Sequence, residues 1–302
     1  MEVLKTIPVS KDYLWGGSVL KERYGKKIEG DILAESWEIS IHPDGIVSLE
    51  GKDEDLKDYL LSHPDFTKEL DILVKFIDAG QSLSIQVHPD EEYARRVEHD
   101  SGKTEMWYII DADEDAFIYY GVKEKTTRDE FKKAIGNNTV LGKLNKVSVK
   151  KGDYFLIEAG TIHAIGKGCL ILETQQSSNV TYRVYDYDRR DANGKKRELH
   201  VEKALDVISY EPVKYQNSNV NGRRTLMVDT PLFKTTYLPV KGKEVISHAG
   251  KSYLSLTITE GEGSLEFCDQ SFSFRKGDSF LFPAKQGDII INGNCEGVYT
   301  VK

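Results

Sequence analysis

A chain of 302 residues can bury a sizeable core, and 39% hydrophobic against 30% charged residues is the balance of a soluble globular protein. The formal net charge of −8 argues against nonspecific nucleic-acid binding, which draws on basic surface, so an anionic small substrate would need a local Lys or Arg cluster. No apolar run is long enough to cross a membrane, and MEVLKTIPVSKDYLWGG lacks a signal-peptide core; the expectation is a cytoplasmic protein without a membrane partner.

The first fifty residues read as short strands and turns, with AESWEISIHPDG ending in a Pro-Asp-Gly turn. Leu56, Tyr59 and Leu60 then form one apolar helical face, broken at His63-Pro64. Leu73–Ile77 and Ser82–His88 are predicted strands, the second placing Ser84, Gln86 and His88 on one face. Asp90–Glu98 reads as a helix. Met106–Ile110 and Ala116–Tyr120 read as a strand pair joined by the acidic turn DADED. Thr127–Glu130 is a capping-box pattern that opens a further helix. Lys146–Val149, Tyr154–Ile157, Cys169–Glu173 and Thr181–Tyr185 are predicted strands. Val201, Ala204, Leu205 and Ile208 mark a last helix. From about Thr230 the pattern returns to short strands with Gly turns. Strands dominate and helices are inserts, a mainly β profile of barrels or jelly rolls. Cys169, Cys268 and Cys295 are too few and too scattered for a disulfide framework and are expected to be reduced and buried.

One internal repeat organises this pattern. KGDYFLIEAGTIHAIGKG begins at Lys151 and KGDSFLFPAKQGDIIINGN at Lys276, which aligns His163 with Asp288. KTEMWYIIDADED at Lys103 resembles KSYLSLTITEGEG at Lys251, which puts Tyr253 in place of Glu105. Two copies of one β unit follow, the first with metal-type residues and the second without.

Gln86, His88, Glu105 and His163 are the candidate ligands. Imidazole nitrogens with a carboxylate and an amide oxygen suit a divalent first-row metal, zinc favoured, with positions left open for water or substrate.

GDYFLIEAGTIH is similar to the second cupin motif, with Glu158 where a proline is usual. LWGG at Leu14, ESWEIS at Glu35, DAGQSLSIQVHPDEEYA at Asp78, GKTEMWYII at Gly102, AGTIHAIG at Ala159 and QQSSNVTYRVYDYDR at Gln175 together resemble the type I mannose-6-phosphate isomerases in their short bacterial form. The resemblance implies two cupin-like jelly-roll barrels with helical insertions. We expect a catalytic metal-binding domain over 1–225 and a degenerate cupin domain over 226–302. It also implies one zinc per chain on Gln86, His88, Glu105 and His163, Arg183 as an active-site residue, and interconversion of mannose 6-phosphate and fructose 6-phosphate.

Aldose–ketose isomerisation moves a proton between C1 and C2 through an enediol. It needs a base, charge stabilisation at two oxygens and a grip on the phosphate. Arg183 is a permanent cation suited to the developing charge or to phosphate. Lys103 is expected on the face of Glu105. Glu173 alternates with Leu170 and Leu172 and faces the opposite way, as a base or as an ion-pair partner of Arg183. His42, His63, His200 and His248 read as structural or solvated, and Trp15 and Trp37 as packing residues. His99 is a candidate for the pocket wall. The run from Asp186 reads as a solvated loop in which Arg189 and Arg190 could attract a phosphate. A cupin metal oxygenase and a noncatalytic sugar-binding or regulatory double cupin are the alternatives.

Overall fold

The structure is a computed structural model that describes residues 2–28, 30–190, 193–214 and 218–302. Glu29 of the YGKKIEGD turn and Asp191 and Ala192 of the polar run after Asp186 lie outside the described residues.

The chain begins with β1 (Leu4–Ile7), β2 (Val9–Lys11), α1 (Val19–Glu22), β3 (Glu35–Ile39), β4 (Ser48–Leu49) and α2 (Leu56–Ser62). It continues with β5 (Ile72–Asp78), β6 (Ile85–Val87), α3 (Glu91–Val97), β7 (Glu105–Ala112), β8 (Phe117–Val122) and α4 (Arg128–Gly136). Then come β9 (Leu144–Ser148), β10 (Tyr154–Ile157), β11 (His163–Ile165), β12 (Cys169–Gln176), β13 (Tyr182–Tyr185) and α5 (Val201–Val207). The last part is all strand: β14 (Thr225–Asp229), β15 (Lys234–His248), β16 (Leu254–Phe267), β17 (Gln270–Arg275), β18 (Ser279–Phe282) and β19 (Gly287–Val301).

The strands form three antiparallel sheets. One runs β10-β7-β12-β5-β3-β2, a second β13-β6-β11-β8-β9, and a third is built on β14-β15-β19-β16-β18-β1-β4 with β17 on β16. The six-stranded sheet is the middle layer. One face packs Ile77, Trp107, Ile109 and Ile171 against Ile118, Tyr120 and Ile165 of the five-stranded sheet. Its other face packs Val74, Phe76, Tyr108 and Leu172 against Tyr237, Leu281 and Val298 of the third sheet. Burial on both faces explains why β5 and β12 read as apolar runs without clean alternation. Helices α4 and α5 cover the outer face of the five-stranded sheet through Phe131, Ala204 and Leu205. The Thr127–Glu130 capping box forms as the spacing predicts.

Three expectations change. Strands β7 and β8 are not a hairpin pair; after the acidic turn the chain crosses to the facing sheet. The C-terminal strands are not short: β15 and β19 each run 15 residues. Gly250 and Gly277 stand in turns as expected, but Gly261, Gly263 and Gly293 lie inside the strands, where backbones approach closely. A Cβ on Gly261 would sit 2.1 Å from Asn294 O, and one on Gly293 2.5 Å from Glu262 O. Cys268 is exposed in a turn at φ 53, while Cys169 and Cys295 are buried as expected.

The repeat is visible as one turn made twice. Gly152 and Gly277 both have φ 90. Asp153 accepts from Lys150 N at 3.0 Å, and Asp278 from Arg275 N at 3.0 Å. Ile157 pairs with Glu105, and its counterpart Phe282 pairs with Leu254. Leu254, not Tyr253, therefore stands where Glu105 does in the first copy. A one-residue slip in a strand exchanges its faces, and Tyr253 instead packs into the core between the sheets. Asp288, aligned with His163, is exposed and accepts from Ser247 Oγ at 2.9 Å.

Candidate metal centre and active site

Register assembles the site as two facing rows. On the five-stranded sheet Gln86 pairs with His163 on one side and Arg183 on the other. Directly opposed residues share a face, so the three side chains stand in line. On the six-stranded sheet Trp37 pairs with Lys75, Lys75 with Glu173, and Glu173 with Trp107. Between the rows lies a cavity of about 280 Å³ lined by Gln86, Lys103, Glu105, Glu173 and Arg183 among others. A larger cleft, of about 560 Å³, lies between the β1–β2 segment and the β17–β18 turn and contains none of these residues.

His88, Glu105 and His163 converge at the cavity's inner end, their ligand-type atoms all within 4.8 Å of one another. All three residues are buried. His88 Nδ1 donates to Val180 O at 2.7 Å and His163 Nδ1 to Thr161 O at 2.8 Å, because a carbonyl can only accept. That tautomer leaves both Nε2 atoms as lone pairs. They face Glu105, at 3.1 Å from Oε1 for His88 and 3.7 Å from Oε2 for His163. Neither Glu105 oxygen nor His163 Nε2 has a hydrogen-bond partner of good geometry among the described residues. Lone pairs aimed at a carboxylate are repulsive unless a cation lies between them, so this donor set fits a metal ion. In this structure the cation nearest the cluster is Lys103, whose Nζ is 2.6 Å from Glu105 Oε1 and 3.1 Å from His88 Nε2.

The electrostatics agree. Burial and the neighbouring Lys103 push His88 down to about 3, so its imidazole is neutral. Burial lowers His163 too. Burial alone would raise Glu105, but the charge of Lys103 holds its carboxyl well below the usual range.

Glu173 has a different setting. Burial, then the charge of Glu105, raises its pKa above the ordinary carboxylate value, against the pull of Lys75. Trp107 Nε1 donates to its Oε2 at 2.7 Å, and Lys75 Nζ is 2.9 Å from its Oε1. Lys75 also lies 3.6 Å from Glu35 Oε2, which accepts from Trp37 Nε1 at 2.8 Å. Burial works against the Lys75 charge, yet Glu173, Glu35 and Glu105 raise its pKa, so it is a fixed cation.

Arg183 does not pair with Glu173, the ion-pair alternative of the sequence reading. Its Nε donates to Ser84 Oγ at 3.2 Å and its Nη1 to Glu198 O at 3.0 Å. Ser84 Oγ in turn donates to Gln86 Oε1 at 3.4 Å. Burial, then repulsion from Arg197, lowers the Arg183 pKa. His99 does not line the cavity; it is exposed at φ 57 just beyond the C-cap of α3. Trp15 lines the cavity and Trp37 supports Glu35, so neither is packing alone. His42 is buried, accepts from Asp44 N at 3.1 Å and has Nε2 3.6 Å from Asp100 Oδ2, so it ties two loops together.

Sequence reading missed Lys75, Glu35 and Arg197, all on the cavity wall. A signal for Lys75 was present. A lysine inside the apolar strand ILVKFID is buried only if acids meet it.

Fold and site together define a cupin-type protein with a buried candidate metal centre under a polar cavity. The family model of the type I phosphomannose isomerase catalytic domain matches residues 3–118, and that of the mannose-6-phosphate isomerase cupin domain matches residues 223–301. A probable mannose-6-phosphate isomerase of Bacillus subtilis is 38% identical over 304 residues, 96% of each chain. A mannose-6-phosphate isomerase of Streptococcus mutans is 36% identical over 89% of each chain. The crystal structure of the Bacillus subtilis mannose 6-phosphate isomerase matches with a TM-score of 0.91 at 33% identity, over 100% of both chains. The chain belongs to the type I phosphomannose isomerase family and is an isomerase. That membership removes the oxygenase and noncatalytic alternatives.

Proposed function

We propose that the protein interconverts mannose 6-phosphate and fructose 6-phosphate by proton transfer between C1 and C2 through an enediol. The observation that carries this reading is the pair of imidazole lone pairs meeting a carboxylate at the inner end of a cavity whose wall also holds Glu173 and Arg183. Gln86 Oε1, His88 Nε2, the Glu105 carboxylate and His163 Nε2 would hold one zinc ion. Zinc bound there would act as a Lewis acid on the two substrate oxygens.

The remaining steps belong to side chains. Glu173 takes the C2 proton of mannose 6-phosphate and, after its carboxylic acid proton exchanges with solvent, delivers a proton to C1; its raised pKa suits a carboxylate that must act as an acid in the second half. Lys75 and Trp107 hold that carboxylate in place. Arg183 stabilises the negative charge that develops on the enediol oxygens. Lys103 supplies or recovers a proton at the same oxygens. We further propose residues 1–225 as the catalytic unit and 226–302 as a unit without a metal site. The second unit's interior is filled by Leu256, Phe267, Phe280 and Phe282. Strand β1 crosses this boundary to pair with β18.

Turnover of mannose 6-phosphate in D₂O tests the proposal. Solvent deuterium at C1 of the fructose 6-phosphate formed is the expected result. Turnover with complete retention of the substrate's own hydrogen would overturn the proton-transfer route, and no turnover of any hexose 6-phosphate would overturn the function.

A further inference from the structure

Three guanidiniums gather where the cavity wall meets the polar run after β13. Arg183 and Arg197 line the cavity, and Arg189 and Arg197 share the carboxylate of Asp186, which is 6% exposed. Of the other acids of this run, Glu198 is exposed and Asp188 is paired with Lys196. Positive charge is therefore in excess on this wall, although the chain as a whole is negative.

The arginines are used differently. Arg189 is fully engaged: Nε and Nη2 go to Asp186, and Nη1 donates to Ser82 O at 2.7 Å. Arg197 gives only one edge to Asp186, Nε to Oδ2 at 2.8 Å and Nη2 to Oδ1 at 2.6 Å. Its Nη1 takes no part in that pairing, and the side chain is 27% exposed. A guanidinium clamped along one edge has lost its rotamer freedom and offers the remaining nitrogen in a fixed direction. Arg183 likewise commits Nε and Nη1 and leaves Nη2 outside those contacts. Tyr187 and Asp188, at φ 55 and φ 57, are consecutive non-glycine residues in the left-handed region, an arrangement that needs surrounding contacts to hold it. The double Arg pairing of Asp186, and the Asp188–Lys196 ion pair, are such contacts.

We propose that Arg197 is the residue that selects a phosphorylated hexose, by binding its phosphomonoester dianion through the Nη1 left outside the Asp186 pairing, and that Asp186 is its positioning residue. The inference rests on the hexose 6-phosphate reading of the site. Burial first, and then the charge of Arg197, disfavours the charged form of Arg183; a dianion bound at Arg197 would offset the second of these. Asp186 works against burial, yet Arg197 and Arg189 hold its carboxyl below the usual range, so the clamp is ionised at neutral pH.

The test compares metal-loaded wild type with Arg197→Gln, Arg197→Lys and Asp186→Asn. Arg197→Gln should raise KM for mannose 6-phosphate by about 10- to 100-fold and leave kcat within about 3-fold, because a contact made equally in ground and transition states sets KM. Arg197→Lys keeps the charge but not the two-nitrogen pairing, and should fall between the two. Asp186→Asn should raise KM in the same direction at unchanged metal content. Calorimetric titration with inorganic phosphate should show weakened binding in Arg197→Gln. That readout holds even if wild type turns over no hexose 6-phosphate, an outcome that overturns the proposed function rather than the anion site. Wild-type KM and phosphate affinity in Arg197→Gln, or loss of kcat at constant KM, overturns the assignment of Arg197. Wild-type behaviour of Asp186→Asn beside a defective Arg197→Gln overturns the positioning role.

Discussion

Glu173 and Glu105 lie two positions apart across paired strands, with Gln175 opposite Glu105, yet their environments drive them in opposite directions. Glu105 is kept ionised against burial by Lys103, while Glu173 is raised by burial and by the charge of Glu105. A ligand needs the first condition and a proton carrier the second. Glu173→Gln should lower kcat by about 10²- to 10⁴-fold with metal content unchanged, measured by steady-state kinetics beside elemental analysis. The pH profile follows from the same shift. The base must be ionised to accept a proton, so kcat/KM should fall on the acid side through an apparent pKa above 4.5, the ordinary carboxylate value. A limb at or below that value would remove Glu173 from the role. Each candidate ligand was legible as a residue type in a telling place, His before Pro and Glu at a strand entrance. Lys75 carried a signal in its place inside an apolar strand, but its partners and Glu35 did not, because they lie on neighbouring strands far apart in sequence.

At the scale of elements, register does the positioning. Strand β6 is only three residues long, yet it lies between β11 and β13 and so brings Gln86 beside both His163 and Arg183. Alternation along ILETQQ correctly gave the face of Glu173, since Leu170 and Leu172 pack into the other layer. What alternation could not give was pairing. The turn DADED looks like a hairpin, but whether a chain folds back or crosses to a facing sheet depends on partners distant in sequence. The repeat turn was legible from KGD alone, because a glycine at φ 90 and an aspartate capping its own turn are local chemistry. Gly277→Ala should cost about 1 kcal/mol or more of stability, because alanine is strained at that φ. Denaturant unfolding measures it, and metal content should not change.

Across the whole molecule, the six-stranded sheet is shared. One face supplies Lys75, Trp107 and Glu173 to the cavity, and the other is buried against the third sheet. Lys26 and Glu38 tie the two parts together, with Lys26 Nζ 2.7 Å from Glu38 Oε1 and 2.6 Å from Gly277 O, and Ser279 Oγ 3.2 Å from Glu38 Oε2. Burial raises Glu38 despite Lys26. Its contribution to stability is therefore greatest below the unfolded carboxylate pKa and diminishes as pH rises through the folded value. Because the metal cluster joins strands of two facing sheets, metal binding should stabilise the fold as a unit. At a free zinc concentration about 100-fold above Kd the gain is about 2.7 kcal/mol, read as a rise in Tm. His163→Ala should abolish most of that rise.

The most direct measurement is mannose 6-phosphate isomerase activity of the purified protein, followed through chelation and metal return. Activity should vanish with the chelator and come back on stoichiometric zinc in wild type, and should not come back in His88→Ala or His163→Ala. Full activity in chelated protein verified to be metal-free would contradict the account.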